Sequence, residues 1–270
     1  MTPAPPGAVL SHQLVNHLGA AACSRRLLVA TDFDGTLVDL RDDPDDVWLS
    51  DRAAALLADL AAQPGVTVAV LSGRSLTDLR RRLGGVDGVQ LIGSHGAEWE
   101  DDARGALLHP SQDGLLASLS DRLEEITADC VGTWVERKPI ASVFHYRAAS
   151  PECAAESVRR VLDGPARSSG IHVRHGKDCV EIAVVEVTKG LAIDRLRADL
   201  RADRVVFFGD DVTDEDGFRV LRREDVGVKV GAGESGAEYR AGSIHDVVDV
   251  LTEILRVRRG FVADYPAYVT

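Results

Sequence analysis

Two carboxylates one residue apart, Asp32 and Asp34 in TDFDGTL (31–37), follow the apolar run Leu27-Leu28-Val29-Ala30. Like charges at that spacing repel, and carboxylates at the edge of a core lose hydration, so something must compensate them. A second acidic group, Asp210, Asp211, Asp214, Glu215 and Asp216, follows the apolar run VVFFG (205–209). Ser72-Gly73-Arg74 follows VTVAVL (66–71), Ser94-His95-Gly96 follows VQLIG (89–93), and Lys189-Gly190 opens a helical stretch that leads into the 205–209 run. A lone Asp-x-Asp is as easily a turn or a helix cap. An EF-hand loop does not explain GDDVTDEDG (209–217), because Gly217 at loop position six would put Val212 at position one, where a ligand is needed. Acidic clusters at the ends of different strands of one sheet would converge on a hard cation, most simply Mg²⁺.

The elements that must position these groups are legible as patterns. Five apolar runs, at 27–30, 66–71, 89–93, 205–209 and 226–231, read as buried parallel strands. Helical patterns lie between them. Asp51–Ala62 follows a Ser-Asp start and stops at Pro64-Gly65, Leu76–Leu83 stops at Gly84-Gly85, and Leu191–Leu200 is amphipathic. Strand, helix, strand at this spacing predicts βαβ units and a doubly wound α/β sheet, which binds ligands at the carboxyl ends of its strands. From about residue 102 to 184 the strands alternate instead, as in TWVERK (133–138) and SVFHYR (142–147), and two helices, Gly114–Asp129 and Pro151–Leu162, flank them. That is a smaller α+β domain inserted in the first. The expected division is an extension at 1–24, a core at 25–101 and 185–270, and the insertion at 102–184. The Pro-rich start reads as loosely attached, the acidic run 39–46 as a solvated loop, and the tail 261–270 as an extended end.

Composition sets outer limits. The chain has 270 residues with a net charge of −12, which argues against nucleic acid or an anionic membrane as partner, since both demand a basic face. Cys23, Cys130, Cys153 and Cys179 form no CxxC pair or zinc pattern, and as isolated thiols they point to a reducing compartment, the cytoplasm. The first twenty residues lack the features of a signal peptide, and no apolar stretch is long enough to span a bilayer. The chain is expected to act as a monomer on a small molecule.

DFDGTL, the strand-end serine of LSGR, a lysine before a helix, and GDDVTDED, in that order, resemble the four motifs of the haloacid-dehalogenase (HAD) superfamily of phosphatases. The resemblance implies a doubly wound, Rossmann-like HAD core with Asp32 as the nucleophile toward phosphorus and Asp34 as general acid and base. It implies Mg²⁺ held by Asp32, the Asp34 carbonyl and Asp210, with Asp211 and Asp214 supporting Lys189 or metal-bound water. Ser72 would donate to a phosphoryl oxygen, Lys189 would neutralise charge there, and Gly35 and Gly73 would let amides approach the phosphate. Positions i and i+2 of a strand share a face, which would bring Asp32 and Asp34 to one phosphoryl group.

The insertion falls where a C2-type cap belongs in that superfamily. GSHGAEWE (93–100), VERKPIASVFHYR (135–147) and KDCVEI (177–182) resemble the trehalose-6-phosphate phosphatase family, over roughly residues 25 to 255. On that resemblance Glu136, Lys138, His145 and Glu181 would contact the distal glucose, Arg74, His95 and Glu98 would line the pocket, and Arg147 would support the cap sheet. The cap would open and close on hinges near Glu100–Arg104 and Val185–Thr188. One departure stands out: the family follows VEI with arginine and proline, and here Ala183 and Val184 stand there. A trehalose-like pseudo-disaccharide phosphate, such as validoxylamine 7′-phosphate, or another glycosyl phosphate is therefore the alternative substrate. A non-catalytic sugar-phosphate sensor is the remote alternative, and it has no need of Asp34 or Lys189.

Overall fold

A computed structural model of the chain describes residues 11–41, 46–100, 110–176 and 178–268. In chain order the first elements are α1 (His12–Ala22), β1 (Leu27–Thr31), α2 (Asp51–Ala61), β2 (Val66–Leu71), α3 (Leu76–Leu83), β3 (Val89–Gly93) and β4 (Glu98–Trp99). The next are α4 (Pro110–Thr127), β5 (Trp134–Arg137), β6 (Ala141–His145), α5 (Pro151–Asp163), β7 (His172–Gly176) and β8 (Cys179–Ala183). The chain ends with α6 (Lys189–Leu200), β9 (Arg204–Gly209), α7 (Glu215–Arg219), β10 (Val226–Val230), β11 (Tyr239–Ala241) and α8 (Ile244–Asp264). These form two compact units, residues 1–101 with 187–270, and residues 102–186.

The larger unit is built on a seven-stranded sheet in the order β11-β10-β9-β1-β2-β3-β4. All its pairings are parallel except β3 with β4. Alternate residues of each strand go to opposite faces. Leu27 and Val29 of β1 join Val68 of β2, Val206 of β9 and the apolar stripes of α1, α2, α3 and α8. Leu28 and Ala30 join Phe207 of β9, Ile193 and Leu196 of α6, and Phe218 of α7. A strand covered on both faces has to be apolar throughout, which is why the five runs are continuous. The two short edge strands, β4 and β11, carry too few residues to show as runs. Ser50, Ser75 and Thr188 cap α2, α3 and α6 through their hydroxyls.

The ends of the chain differ from the sequence reading. Leu14, Leu18, Ala21 and Ala22 of α1 are core residues, although they lie within the segment 1–24 read as an extension. The tail, read as extended from residue 261, continues α8 to Asp264 and ends in a short 3-10 turn at Pro266–Tyr268. Buried Arg258 of α8 explains this anchoring: its guanidinium donates to the carbonyls of Ala22, Ser24, Arg25 and Pro64. A periodicity argument ranks such an arginine as a solvent-facing residue. Residues 3–6 of the Pro-rich start, 42–45 of the acidic run and 101–104 of the first expected hinge lie outside the described residues.

The smaller unit has a four-stranded antiparallel sheet, order β5-β6-β8-β7. One face takes α4: the hydroxyls of Ser142 and Ser120 are 2.6 Å apart, and Arg137 pairs with Asp121 and Glu124. Phe144, Val180 and Ile182 share that face with Ser142 by register and are buried. The opposite face carries Trp134, Glu136, Val143, His145, Cys179 and Glu181. The reading of four isolated thiols is corrected here. Cys130, after α4, and Cys153 of α5 form a disulfide with Cα atoms 5.9 Å apart, and only Cys23 and Cys179 are free. The bonded pair is 23 residues apart in sequence, so no short motif announces it. The thiol argument for a reducing compartment loses its premise.

Candidate active site

Strand β1 ends at Thr31, so Asp32 and Asp34 sit beyond it in a tight turn. The strand alternation expected to align them does not apply. Asp32 is anchored by its N–H to the Phe208 carbonyl of β9, at 2.9 Å. The turn closes by Leu37 N–H to the Phe33 carbonyl and Gly35 N–H to the Val38 carbonyl. Gly35 has φ +77°, a left-handed conformation that favours glycine, and a Cβ there would collide with the Asp210 carboxylate. Its first role is thus to let Asp210 lie against the turn. Gly73 makes room in the same way for the His95 ring.

The centre of the site is a buried ion triad. Lys189, the first residue of α6, donates from Nζ to Asp32 Oδ1 at 2.6 Å and to Asp214 Oδ1 at 2.7 Å. Asp32 is 5% exposed, Lys189 2% and Asp214 0%. The other oxygen of Asp214 accepts from the Asp210 and Asp211 amides, at 3.0 and 2.9 Å. The Thr36 hydroxyl lies 3.5 Å from Asp32 Oδ2 and 3.4 Å from Asp210 Oδ1. Burial is the largest influence on Asp32 and raises its pKa well above the carboxylate range, with repulsion from Asp214 and Asp210 adding and Lys189 opposing. Burial raises Asp210 as well. Burial works against the Lys189 charge too, but Asp32 and Asp214 outweigh it and hold its pKa above that of an ordinary lysine.

Such an arrangement fits a divalent cation. One ligand atom each from Asp32, Asp210 and Asp214 lies within 4.8 Å of the others, all are hard oxygens, and the carboxylates repel one another without a further positive charge. Both oxygens of Asp214 are already engaged, by Lys189 and by two amides, which leaves Asp32 and Asp210 as the better donors. Asp211 is exposed beside them.

Of the remaining core residues singled out in the sequence, Ser72 is buried, its Oγ accepts from the Arg74 amide at 3.1 Å, and its carbonyl accepts from His95 N–H. Arg74, expected to touch substrate, is spent on carboxylates: it grips Asp34 through two bonds and Asp78 through a third. Glu98 is also engaged, accepting from the Ser94 hydroxyl and from the Leu76 amide at the start of α3. His95 and Ser94 hold left-handed backbone conformations, with φ of 58° and 48°.

In the smaller unit Glu136, His145 and Glu181 fall on one face of the sheet, Lys138 directly follows β5, and the four form two pairs. Lys138 Nζ is 2.9 Å from Glu181 Oε2, and His145 Nε2 is 2.9 Å from Glu136 Oε2. Trp134 stacks on His145 with ring centroids 4.6 Å apart, and the Arg147 guanidinium lies over the Trp134 ring. Sequence reasoning missed Thr36, Trp134 and Lys229 of β10, whose Nζ donates to the Asp210 carbonyl. The signal for Lys229 was present, a single charge inside the apolar run VGVKVG.

Residues 30–246 match the family model described as trehalose-phosphatase. The chain belongs to the trehalose-phosphatase family. It is 34% identical over 225 residues to the trehalose-phosphate phosphatase of Mycobacterium marinum, an alignment covering 78% of this chain and 55% of that protein. It is 36% identical over 249 residues to an uncharacterized glycosyl hydrolase of Mycobacterium tuberculosis, covering 86% of this chain and 18% of that one. The chain therefore spans little more than half of one relative and under a fifth of the other. Among solved structures, the trehalose-6-phosphate phosphatase of Aspergillus fumigatus superposes with TM-score 0.71 and 27% identity, over 93% of this chain and 99% of that one. A haloacid dehalogenase-like hydrolase from Bacteroides thetaiotaomicron, at 15% identity and TM-score 0.63, shares the fold. As expected from the motifs, this trehalose-phosphatase family member has the HAD-type α/β fold with a parallel central sheet.

Proposed function

We propose that the protein is a Mg²⁺-dependent phosphatase that hydrolyses trehalose 6-phosphate to trehalose and phosphate. The observation that carries this reading is the buried Asp32–Lys189–Asp214 triad with Asp210 beside it. An Asp32 oxygen attacks phosphorus, the bond from phosphorus to the sugar oxygen breaks, and Asp34, having taken a proton from solvent and turned an oxygen from Arg74 to the leaving group, gives the sugar oxygen that proton. In the second half Asp34 takes a proton from water, the hydroxide attacks the aspartyl-phosphate, and phosphate leaves with Asp32 regenerated. Lys189 orients the Asp32 carboxylate and opposes the effect of burial on its charge, and Ser72 donates to a phosphoryl oxygen. Bound Mg²⁺, held by Asp32, Asp210 and the Asp34 carbonyl, would supply the positive charge that lets carboxylates and phosphate meet.

The smaller unit is assigned the sugar. Glu136, Lys138, His145 and Glu181 offer paired acceptors and donors on and beside one sheet face, the chemistry by which neutral hydroxyls are read. The names of the mycobacterial and fungal relatives support the disaccharide. Ala183 and Val184, both buried where the family carries arginine and proline, favour a second reading: the same reaction on a pseudo-disaccharide or other glycosyl phosphate. A charged sugar phosphate as substrate supports a cytoplasmic site of action. No helix among the described residues is long and apolar enough to cross a membrane.

The test is phosphate release with Mg²⁺ from trehalose 6-phosphate, glucose 6-phosphate and p-nitrophenyl phosphate, side by side. Strong preference for the disaccharide is expected. Turnover of the generic ester alone would move the assignment to a different sugar, and release from none of the three would end the phosphatase reading in favour of a sensor.

A further inference from the structure

Lys229 is the one charged residue of β10, set between Val228 and Val230. Val226, Val228 and Val230 face the core cluster that includes α8, so Lys229 projects to the opposite face of the sheet. It is level with Gly209 of β9, the residue before Asp210, and is 5% exposed. Its Nζ donates to the Asp210 carbonyl and, at 3.0 Å, to the Val230 carbonyl, and among the described residues it forms no ion pair. Burying an ammonium without a carboxylate partner is unfavourable, and a methionine would fill the same space without that penalty. Stability alone therefore does not account for a lysine here.

What it holds is informative. The Asp210 N–H goes to Asp214 Oδ2, and the Asp210 carbonyl goes to Lys229. Both polar groups of this residue's main chain are fixed by buried side chains, while its carboxylate lies against Gly35 and Thr36 beside Asp32. We propose that Lys229 is a positioning residue for the cation site: it clamps the main chain of Asp210 so that the carboxylate keeps its place next to Asp32. This rests on the reading of Asp32 and Asp210 as Mg²⁺ ligands.

The test is calorimetric titration of Mg²⁺ into metal-free wild-type protein and into K229M, with circular dichroism to check the fold. Partners of metal ligands, when removed, weaken binding about tenfold to a hundredfold, and a rise of that size in Kd is expected for K229M. If K229M does not fold, K229Q, which keeps a shorter neutral donor, takes its place, with a rise of at least about fivefold expected. Unchanged affinity overturns the proposal. So does tighter binding, because a lysine that acted only by its charge would repel the cation, and its loss would favour Mg²⁺. A wild-type protein that takes up no Mg²⁺ overturns the metal reading itself and the proposal with it.

Discussion

Arg74 grips both carboxylate oxygens of Asp34, Nε to Oδ2 and Nη2 to Oδ1, each at 2.7 Å. The same guanidinium holds Asp78, which in turn holds buried Arg82 of α3. The group assigned to proton transfer is thus fixed by a side chain forty positions away, at the end of a neighbouring strand. A bidentate guanidinium pair is among the more directional contacts a carboxylate can make. It sets where Asp34 stands before substrate arrives.

Replacing Arg74 by methionine should therefore hurt the reaction in proportion to its need for a proton. A sugar alkoxide is a poor leaving group and p-nitrophenolate a good one. General acid catalysis contributes about a hundredfold or more, so kcat on a sugar phosphate should fall at least about tenfold further than kcat on p-nitrophenyl phosphate. Equal losses on the two substrates would assign Arg74 to the fold alone.

Asp32→Asn removes the nucleophile and little else. Turnover should drop to a few per cent or less of wild type, whereas circular dichroism and binding of the substrate should persist. A variant that keeps substantial turnover would overturn the assignment of Asp32.

Mg²⁺ should stabilise the protein more at high pH than at low. Asp32 and Asp210 have pKa values raised by burial, with neighbouring carboxylates adding. A carboxylate whose folded pKa is above its unfolded value prefers to be protonated in the fold. Its contribution to stability is present at low pH and is lost as pH rises through the folded pKa. A bound cation favours the ionised forms and offsets that loss. The gain in Tm on adding Mg²⁺ should thus grow between about pH 5 and about pH 8, a range above the ordinary carboxylate pKa. A gain that does not vary with pH would place the cation elsewhere.

Lys138→Met should separate sugar recognition from chemistry. It removes the ion-pair partner of Glu181 in the smaller unit. A lost charged hydrogen bond of about 2 kcal/mol corresponds to roughly a thirtyfold rise in KM for the disaccharide phosphate. The constants for p-nitrophenyl phosphate should hardly move. If both substrates lose equally, the Lys138–Glu181 pair is structural.

The sequence by itself determined the parallel sheet, because strands covered on two faces must be continuously apolar, and five of them are. It also determined which residue types stand at the strand ends, and so which chemistry to expect of them. It could not decide which carboxylate is paired with which cation. Asp34 goes to Arg74 and Asp214 to Lys189 because the turn after β1, the segment after β2 and the start of α6 bring those atoms within bonding reach. The pattern of a helix or strand is local, whereas the choice of a partner is made across 40 residues for Asp34 and Arg74 and 25 for Lys189 and Asp214. For the same reason only the tertiary structure revealed the Cys130–Cys153 bond, the anchoring of both chain ends by Arg258, and the clamp of Lys229 on Asp210. In each case a group that the sequence leaves free to face water is buried, and burial forces it to find a partner.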